Sequence, residues 1–548
     1  MRTITPALLF LLAVGPALGQ WTTDVSLNTT VRAASVIEIS SHLVADGPDG
    51  STYTCWFENG SGTYQLRMQR LDADGNRMWD DAGLIVSAHP QNSAIFRYDL
   101  KSDRDGNAVV AFQDERTGSL DIVAYKIGPD GTFLWGADGV ELPSVGSTGL
   151  APSLAPLRNG NTVIAWNTND SPGRIAYQLV DADGALLLSP ASEISAPTRV
   201  SRPVPVATSD GGFILQYELE GGNFLAPATM YAQRYDEVGQ GVWHDPVQVS
   251  TKTVSGFFFP RPAPDGHDGL YLAFTTGNPN NADLSDVYVQ RVHSDGSLWS
   301  AEGTRMDNSN IIQKFTAGKG FAFINDEDGL MVPLQVTDIA QGQSAVAVQR
   351  VDTLGALPLG PAVPNVLFGS SYVSPVDITS TDDGALIIQS SGAFGQQHLM
   401  AKRVDLSGAA VWSPALHDVS TANSTKGDVA VTSTRDGQAV VVWQDDRSPN
   451  GIYAQNITEL STGVASLPLI TTNLRLEQNP TDNPVLLMDQ DLRAATGLNV
   501  FDAQGREVYH TAVPATDRVA LPLSGLNPGV YTIRVTGSGG VGTVRWVK

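Results

Sequence analysis

The feature that most constrains this chain is a repeat whose missing piece lies at its other end. A motif of about 55 residues recurs eight times between Asp49 and Gln455. Its first turn centres on Gly50, Gly106, Gly160, Gly211, Gly269, Gly329, Gly384 and Gly437, each ahead of an apolar run. Seven copies go on to an aromatic or apolar residue: Trp79, Trp135, Leu188, Trp243, Trp299, Leu359 and Trp412. The eighth stops without that piece. Gln20-Trp21-Thr22-Thr23-Asp24-Val25-Ser26 reads like Val242-Trp243-His244-Asp245-Pro246-Val247 and supplies it. Trp21–Asn28 is therefore expected to pair as the outer strand of the last repeat, residues 436–456.

Each copy reads as four short strands, A to D from the inside outward. Asp-Gly between apolar runs is a hairpin signal, because Gly accepts the positive φ of a tight turn. Strand C carries a recurrent pair: Gln69-Arg70, Gln233-Arg234, Gln290-Arg291, Gln349-Arg350, Lys402-Arg403. One such unit cannot bury its own faces, so the units must stack around an axis. The expected fold is all-β, an eight-bladed β-propeller over residues 20–458, with the Trp of strand D packed between blades. The A–B and C–D turns are short and alike and share one face. The B–C and D–A loops share the other and differ in length: Phe57–Tyr64, Gln113–Asp121, Glu218–Pro227, Thr275–Asp286, Asp307–Gly320. Variable loops carry function more often than regular turns, so a site is expected on that second face.

Residues 1–19 read as a secretory signal: Arg2, the apolar run Ala7–Val14, and Ala17-Leu18-Gly19 for cleavage. No other stretch is long and apolar enough to cross a membrane as a helix. One cysteine, Cys55, sits in an apolar run and reads as a buried small hydrophobe. The net charge is −23. Residues 467–548 hold seven Lys/Arg and seven Asp/Glu, so the excess acid belongs to the repeat region. That balance argues against nucleic acid and anionic lipid as partners.

The repeats resemble the acidic "WxDxR…IYAQRVDxDGxxLW" repeats of exported bacterial propeller proteins, most clearly at Val441–Arg447 with Ile452–Gln455 and at Phe112–Arg116 with Asp121–Tyr125. The C–D turns are loosely similar to the Asp-boxes of sialidase-type propellers, a folding motif. After a linker at 459–473 the sequence changes. Leu476-Glu477-Gln478-Asn479-Pro480, Val500-Phe501-Asp502-Ala503-Gln504-Gly505-Arg506-Glu507-Val508 and Leu526-Asn527-Pro528-Gly529-Val530-Tyr531-Thr532-Ile533-Arg534-Val535 precede a terminal Lys548. Residues 474–548 resemble the type A sorting domain of the type IX secretion system of Bacteroidota. The resemblance implies an Ig-like sandwich, handling by the type IX machinery, export through the periplasm, and release or anchoring at the outer-membrane surface.

No phosphate-binding Gly loop, zinc spacing, nucleophile elbow or calcium loop stands out, and no metal or cofactor is expected. The candidate ligand residues are Asp114, Glu115 and Arg116, with Asp445, Asp446 and Arg447, at the starts of two B–C loops. Paired carboxylates suit acid–base work on a glycoside, and an acid beside Arg equally suits an ion pair within a blade. Phe96-Arg97-Tyr98 is similar to the Phe/Tyr-Arg-Ile-Pro motif of sialidases but lacks its Pro, and the sequence assembles no set of three such Arg. Exposed-looking aromatics occur at Phe257–Phe259, Phe315 and Phe394. The reading is a secreted binding or display module for a glycan or protein, the alternative a secreted glycan-active enzyme.

Overall fold

The computed structural model describes residues 21–548 apart from short stretches, the longest being 143–147, 222–226, 255–259, 459–473, 488–494 and 512–517. The proposed signal segment 1–19, the linker 459–473 and Phe257–Phe259 lie outside the described residues. Two compact units divide the chain, Met1–Val464 and Ala465–Lys548.

All described regular structure is strand. The first unit consists of four-stranded antiparallel sheets of the kind that form propeller blades. The first is Glu38–Asp46, Thr52–Asn59, Tyr64–Leu71, Leu84–Ser87, and the second Asp99–Ser102, Ala108–Asp114, Asp121–Ile127, Val140–Leu142. The third is Gly149–Pro156, Thr162–Thr168, Ile175–Val180, Ser192–Ile194, and the fourth Val200–Ala207, Phe213–Glu220, Ala228–Tyr235, Val247–Gln248. The fifth begins at Ala263–Pro264 and continues through Leu270–Asn278 and Asn281–Val292 to Thr304–Arg305. The seventh runs Val373–Thr381, Gly384–Ser391, Gln397–Asp405, His417–Ser424.

The sixth sheet departs from the repeat. Its inner edge is split, because Gln313–Phe315 and Ala322–Asn325 both pair with Gly329–Thr337. Beyond Ser344–Val351 the expected strand around Leu359 does not form among the described residues, and only a bridge from Ser344 to Gly369 remains. Pro358, Pro361 and Pro364 explain this, since each removes a ladder donor.

The eighth sheet joins both ends of the unit. Lys426–Val431, Gln438–Asp445 and Gly451–Thr458 are completed by Thr29–Ala33. The closing strand is thus later than the expected Trp21–Asn28. Asp24 explains the difference: its carboxylate accepts from Ser26 and its carbonyl from Leu27 and Asn28, which folds 24–28 into a turn. Trp21, Val31, Ile39, Trp56, Val440, Val442 and Ile452 then form one core between last and first sheets. The innermost strands of neighbouring sheets touch in succession from the first to the fifth, from the sixth to the eighth, and from the eighth to the first.

The Trp residues do not lie on the fourth strands but in the connections just before them. Trp79, Trp135, Trp243 and Trp299 cap Gly131, Gly184, Gly296 and Gly355 in the C–D turn of the following sheet. Trp21 caps Gly75 of the first sheet in the same way and donates through Nε1 to Ala73 O at 2.9 Å, as Trp135 does to Ala182 O at 3.1 Å. A Cβ at Gly75 would lie 2.8 Å from the Trp21 ring, so no other residue fits there. The strand-C pair has two jobs. Gln69, Gln178, Gln233, Gln290 and Gln349 donate to carbonyls of the C–D connection. Arg70, Arg234, Arg291, Arg350 and Arg403 hold the aspartates of the A–B turn.

In the second unit, one sheet orders Glu507–Thr511, Ala495–Phe501, Val530–Gly537, Gly540–Val547, and a second holds Arg475–Leu476, Val485–Leu487, Arg518–Ala520. They share a core of Leu486, Leu498, Val500, Ile533, Val535 and Trp546.

Candidate functional site

The two acid–Arg triplets sit where a second strand gives way to its loop, and both are engaged. Arg116 donates from Nε and an Nη to buried Asp114 at 2.9 and 2.7 Å, then to Tyr125 Oη and Asp138 O. Arg447 pairs with Asp445 and reaches the N-terminal turn through Ser26 O, Leu27 O and Asn28 Oδ1 at 3.0–3.2 Å. Burial works against the Asp445 carboxylate, but Arg447, Ser424 and Trp443 donate to it and hold it at about 2. Asp446 is exposed and accepts from Thr425 N, and Glu115 is half-buried.

A different group forms on the inner strands. In the first, third, fourth and eighth sheets the inner strand bulges at one place, so that two residues oppose one aromatic of the next strand. Those pairs are Ser41-His42 opposite Trp56, Ala151-Pro152 opposite Trp166, Arg202-Pro203 opposite Tyr217, and Asp428-Val429 opposite Trp443. The first residue of each has a left-handed φ between 49° and 57°. This backbone costs a non-Gly residue about 1–2 kcal/mol, and bulges commonly re-aim side chains beside sites. Amides of the preceding sheet hold the bulges: Gln113 Oε1 accepts from Ala151 N at 3.2 Å and Asn167 Oδ1 from Arg202 N at 2.8 Å.

Arg97 precedes the second sheet's inner strand at the same offset from its turn glycine, Gly106, as Arg202 has from Gly211. The third sheet, between them, presents only Ala151 at that position. Arg261 comes just ahead of the fifth sheet's inner strand. Arg97 is exposed, with much protein around it. Burial, then Arg261 and Arg202, bring its guanidinium down to about 10. Glu218 joins this group: it is 1 % exposed and accepts from Arg202 at 2.7 Å. Burial pushes its carboxyl up to about 7 against the pull of Arg202 and Arg97, with Glu220 adding to the rise. Three guanidiniums and one reluctant carboxylate at the inner edge can hold an oxyanion or exchange a proton near neutral pH.

Lys319 continues the inner ring, its N–H donating to Asp377 Oδ1 at 3.0 Å and its ammonium to Val431 O. His42 is buried, and burial lowers its pKa while Asp428 opposes the shift. Cys55 is buried, its thiol pushed up to about 12 by burial. Phe394 is 86 % exposed and Phe315 half-buried. Among the described residues no group of three or more His, Cys, Asp or Glu is disposed around a common metal position.

Residues 479–548 match the family of secretion system C-terminal sorting domains. No curated protein matches the chain in sequence. Among solved structures, an ulvan lyase of polysaccharide lyase family PL25 bound to -[GlcA(1-4)Rha3S]- is 10 % identical with a TM-score of 0.42, over 79 % of this chain and 96 % of that one. The Penicillium chrysogenum α-L-arabinanase complexed with arabinobiose is 14 % identical at TM-score 0.33, over 79 % and 97 %. The Chaetomium thermophilum Sqt1 bound to the N-terminus of ribosomal protein L10 is 13 % identical at 0.36, over 78 % and 99 %. At these distances none speaks to the chemistry of this chain. The sorting domain does speak to its destination: the protein is exported by the type IX route to the cell surface or the medium.

Proposed function

We propose that this is an exported eight-bladed β-propeller followed from about Leu474 by a small Ig-like sorting domain, and that the propeller is a binding module. Its ligand enters the axial channel from the face of the B–C and D–A loops, bordered by Glu115 and Asp446. The observation that carries this reading is buried Glu218 paired with Arg202 at 2.7 Å on the bulged inner strand of the fourth sheet, with Arg97 and Arg261 just ahead of the inner strands of the second and fifth sheets. A frame needs no such group, since its sheets are already clasped by Trp, Gln and Arg. The test is a glycan and protein array with the mature chain, beside an Arg97→Gln, Arg261→Gln double variant. Binding lost in the variant while its melting curve is unchanged supports the channel; binding retained refutes it.

A second reading, a glycan-active enzyme, is favoured by one observation: Glu218 is a buried carboxyl paired with Arg202 at 2.7 Å, and burial pushes it up to about 7, the range of a working acid or base. It requires turnover on a glycoside or polysaccharide panel that Glu218→Gln abolishes.

A further inference from the structure

We propose that Lys314 and Asp286 are joined by an isopeptide bond that the folded chain makes for itself, a covalent clasp between the fifth and sixth sheets. Both side chains are wholly buried, and Lys314 Nζ lies 2.6 Å from Asp286 Oδ1. Lys314 belongs to Gln313–Phe315, the detached piece of the sixth sheet's split inner edge, and Asp286 to the third strand of the fifth. Ser285 Oγ donates to Lys314 O and fixes the two segments side by side. Two more charged groups complete the cluster. Buried Asp307 brings Oδ2 to 3.4 Å from Nζ, and Arg305 donates to Asp286 Oδ1 at 2.9 Å.

The reaction needs an amine lone pair beside a protonated carboxyl, held in place. A proton passing from Nζ to Asp286 turns two ions that are costly to bury into a neutral amine and a neutral acid. The amine's two N–H then donate to Ser309 O at 2.7 Å and Asp307 O at 3.2 Å, which leaves its lone pair for Asp286. Asp286 Oδ2 and Asp307 Oδ2 are buried and accept no hydrogen bond from a described group, so the first can carry the acid proton and the second can relay one. Arg305 on Oδ1 faces the oxyanion of the tetrahedral intermediate. The Nζ–Cγ bond forms and the Cγ–Oδ2 bond breaks; Oδ2 leaves as water, with its own proton and one that Asp307 relays from the nitrogen. One ammonium and one carboxylate become one amide and one water, with no change of oxidation state, and Arg305 and Asp307 remain as a balanced pair. Fixed side by side, the two groups react far faster than they would free in solution. Lys426 and Asp445 show what blocks the step. They too are wholly buried, 3.2 Å apart, but both oxygens of Asp445 accept from Arg447 and one also from Trp443, so neither is free to leave.

The experiment is mass spectrometry of the purified full chain, intact and after denaturation and tryptic digestion. The expected result is a chain one water lighter than its residues, and a branched peptide joining 253–291 to 306–319 with no cut after Lys314. Lys314→Arg and Asp286→Ala should each have the full mass of their residues. Asp307→Asn should lower the joined fraction at least about tenfold at equal age while its circular dichroism matches the parent chain, which separates a proton relay from a merely structural role. A parent chain of full mass, cut by trypsin after Lys314, would overturn the inference. A branch at Asp307 instead of Asp286 would overturn the assignment of the bond, and an undiminished joined fraction in Asp307→Asn would overturn the relay.

Discussion

Two buried acid–arginine pairs of this molecule behave in opposite ways. At the seam, Asp445 is met by Arg447, by Trp443 Nε1 at 2.8 Å and by Lys426 at 3.2 Å, and stays ionised down to about 2. On the fourth sheet, Glu218 has Arg202 at 2.7 Å but also Glu220 close by, and rises to about 7. Burial opposes both charges; what differs is how many donors answer it. A carboxylate with several donors is a strut. One with a single hydrogen-bonded arginine and a like charge nearby is poised to change state nearer neutral pH.

The largest effect should come from the strut's own purpose. Removing 21–33 takes away the eighth sheet's fourth strand and Trp21, and cooperative unfolding by circular dichroism should be lost; a sharp, unshifted transition would refute the seam. Next, Asp445→Ala leaves Lys426 and Arg447 without their carboxylate, a loss of about 3–5 kcal/mol by urea denaturation. The same comparison has a pH form. The depressed Asp445 contributes stability that is present above its unfolded value, near 4, and fades as pH falls toward about 2. Glu218 runs the other way. Its raised folded value means a penalty that is absent below its ordinary 4.5 and grows as pH rises to about 7. Glu218→Gln should therefore be neutral near pH 4.5 and stabilising by on the order of 3 kcal/mol at pH 8. If Gln destabilises at pH 8, the two pairs are the same kind of object. Smallest is Trp21→Phe, which keeps the ring over Gly75 but drops the bond to Ala73 O, for a loss of about 1 kcal/mol.

The frame was legible because its cues are local. Turn glycines, the strand-C pair and the Trp positions each repeat at a spacing fixed by backbone geometry, and Trp21 announced the seam. The strand beside it was misplaced because the other Trp residues precede their strands by four or five positions, whereas the turn at 24–28 pushes Thr29 further on. The sixth sheet's missing strand could have been read from three prolines in seven residues, 358–364. The arginine group was harder, because its members come from three sheets. Arg97 and Arg202 share an offset from their turns, a signal that was present. Arg261 breaks it, since in the fifth turn Asp268, at φ 63°, stands where other turns place glycine. Charge runs such as the two triplets are visible in one window of sequence, while a cluster across sheets exists only once the chain has folded.

The seam also sets an order in time. Asn28 meets Gln455 at a separation of 427 positions along the chain, so an early segment waits for a late one before it finds its partner. Closing so long a loop is slow, and it cannot begin until the far strand has been made. Until then the opening stretch is a loose end and the growing row of sheets is unsealed. A latch of this kind can shut only once residues 451–458 have been made, so the ring is sealed late, by its own two ends.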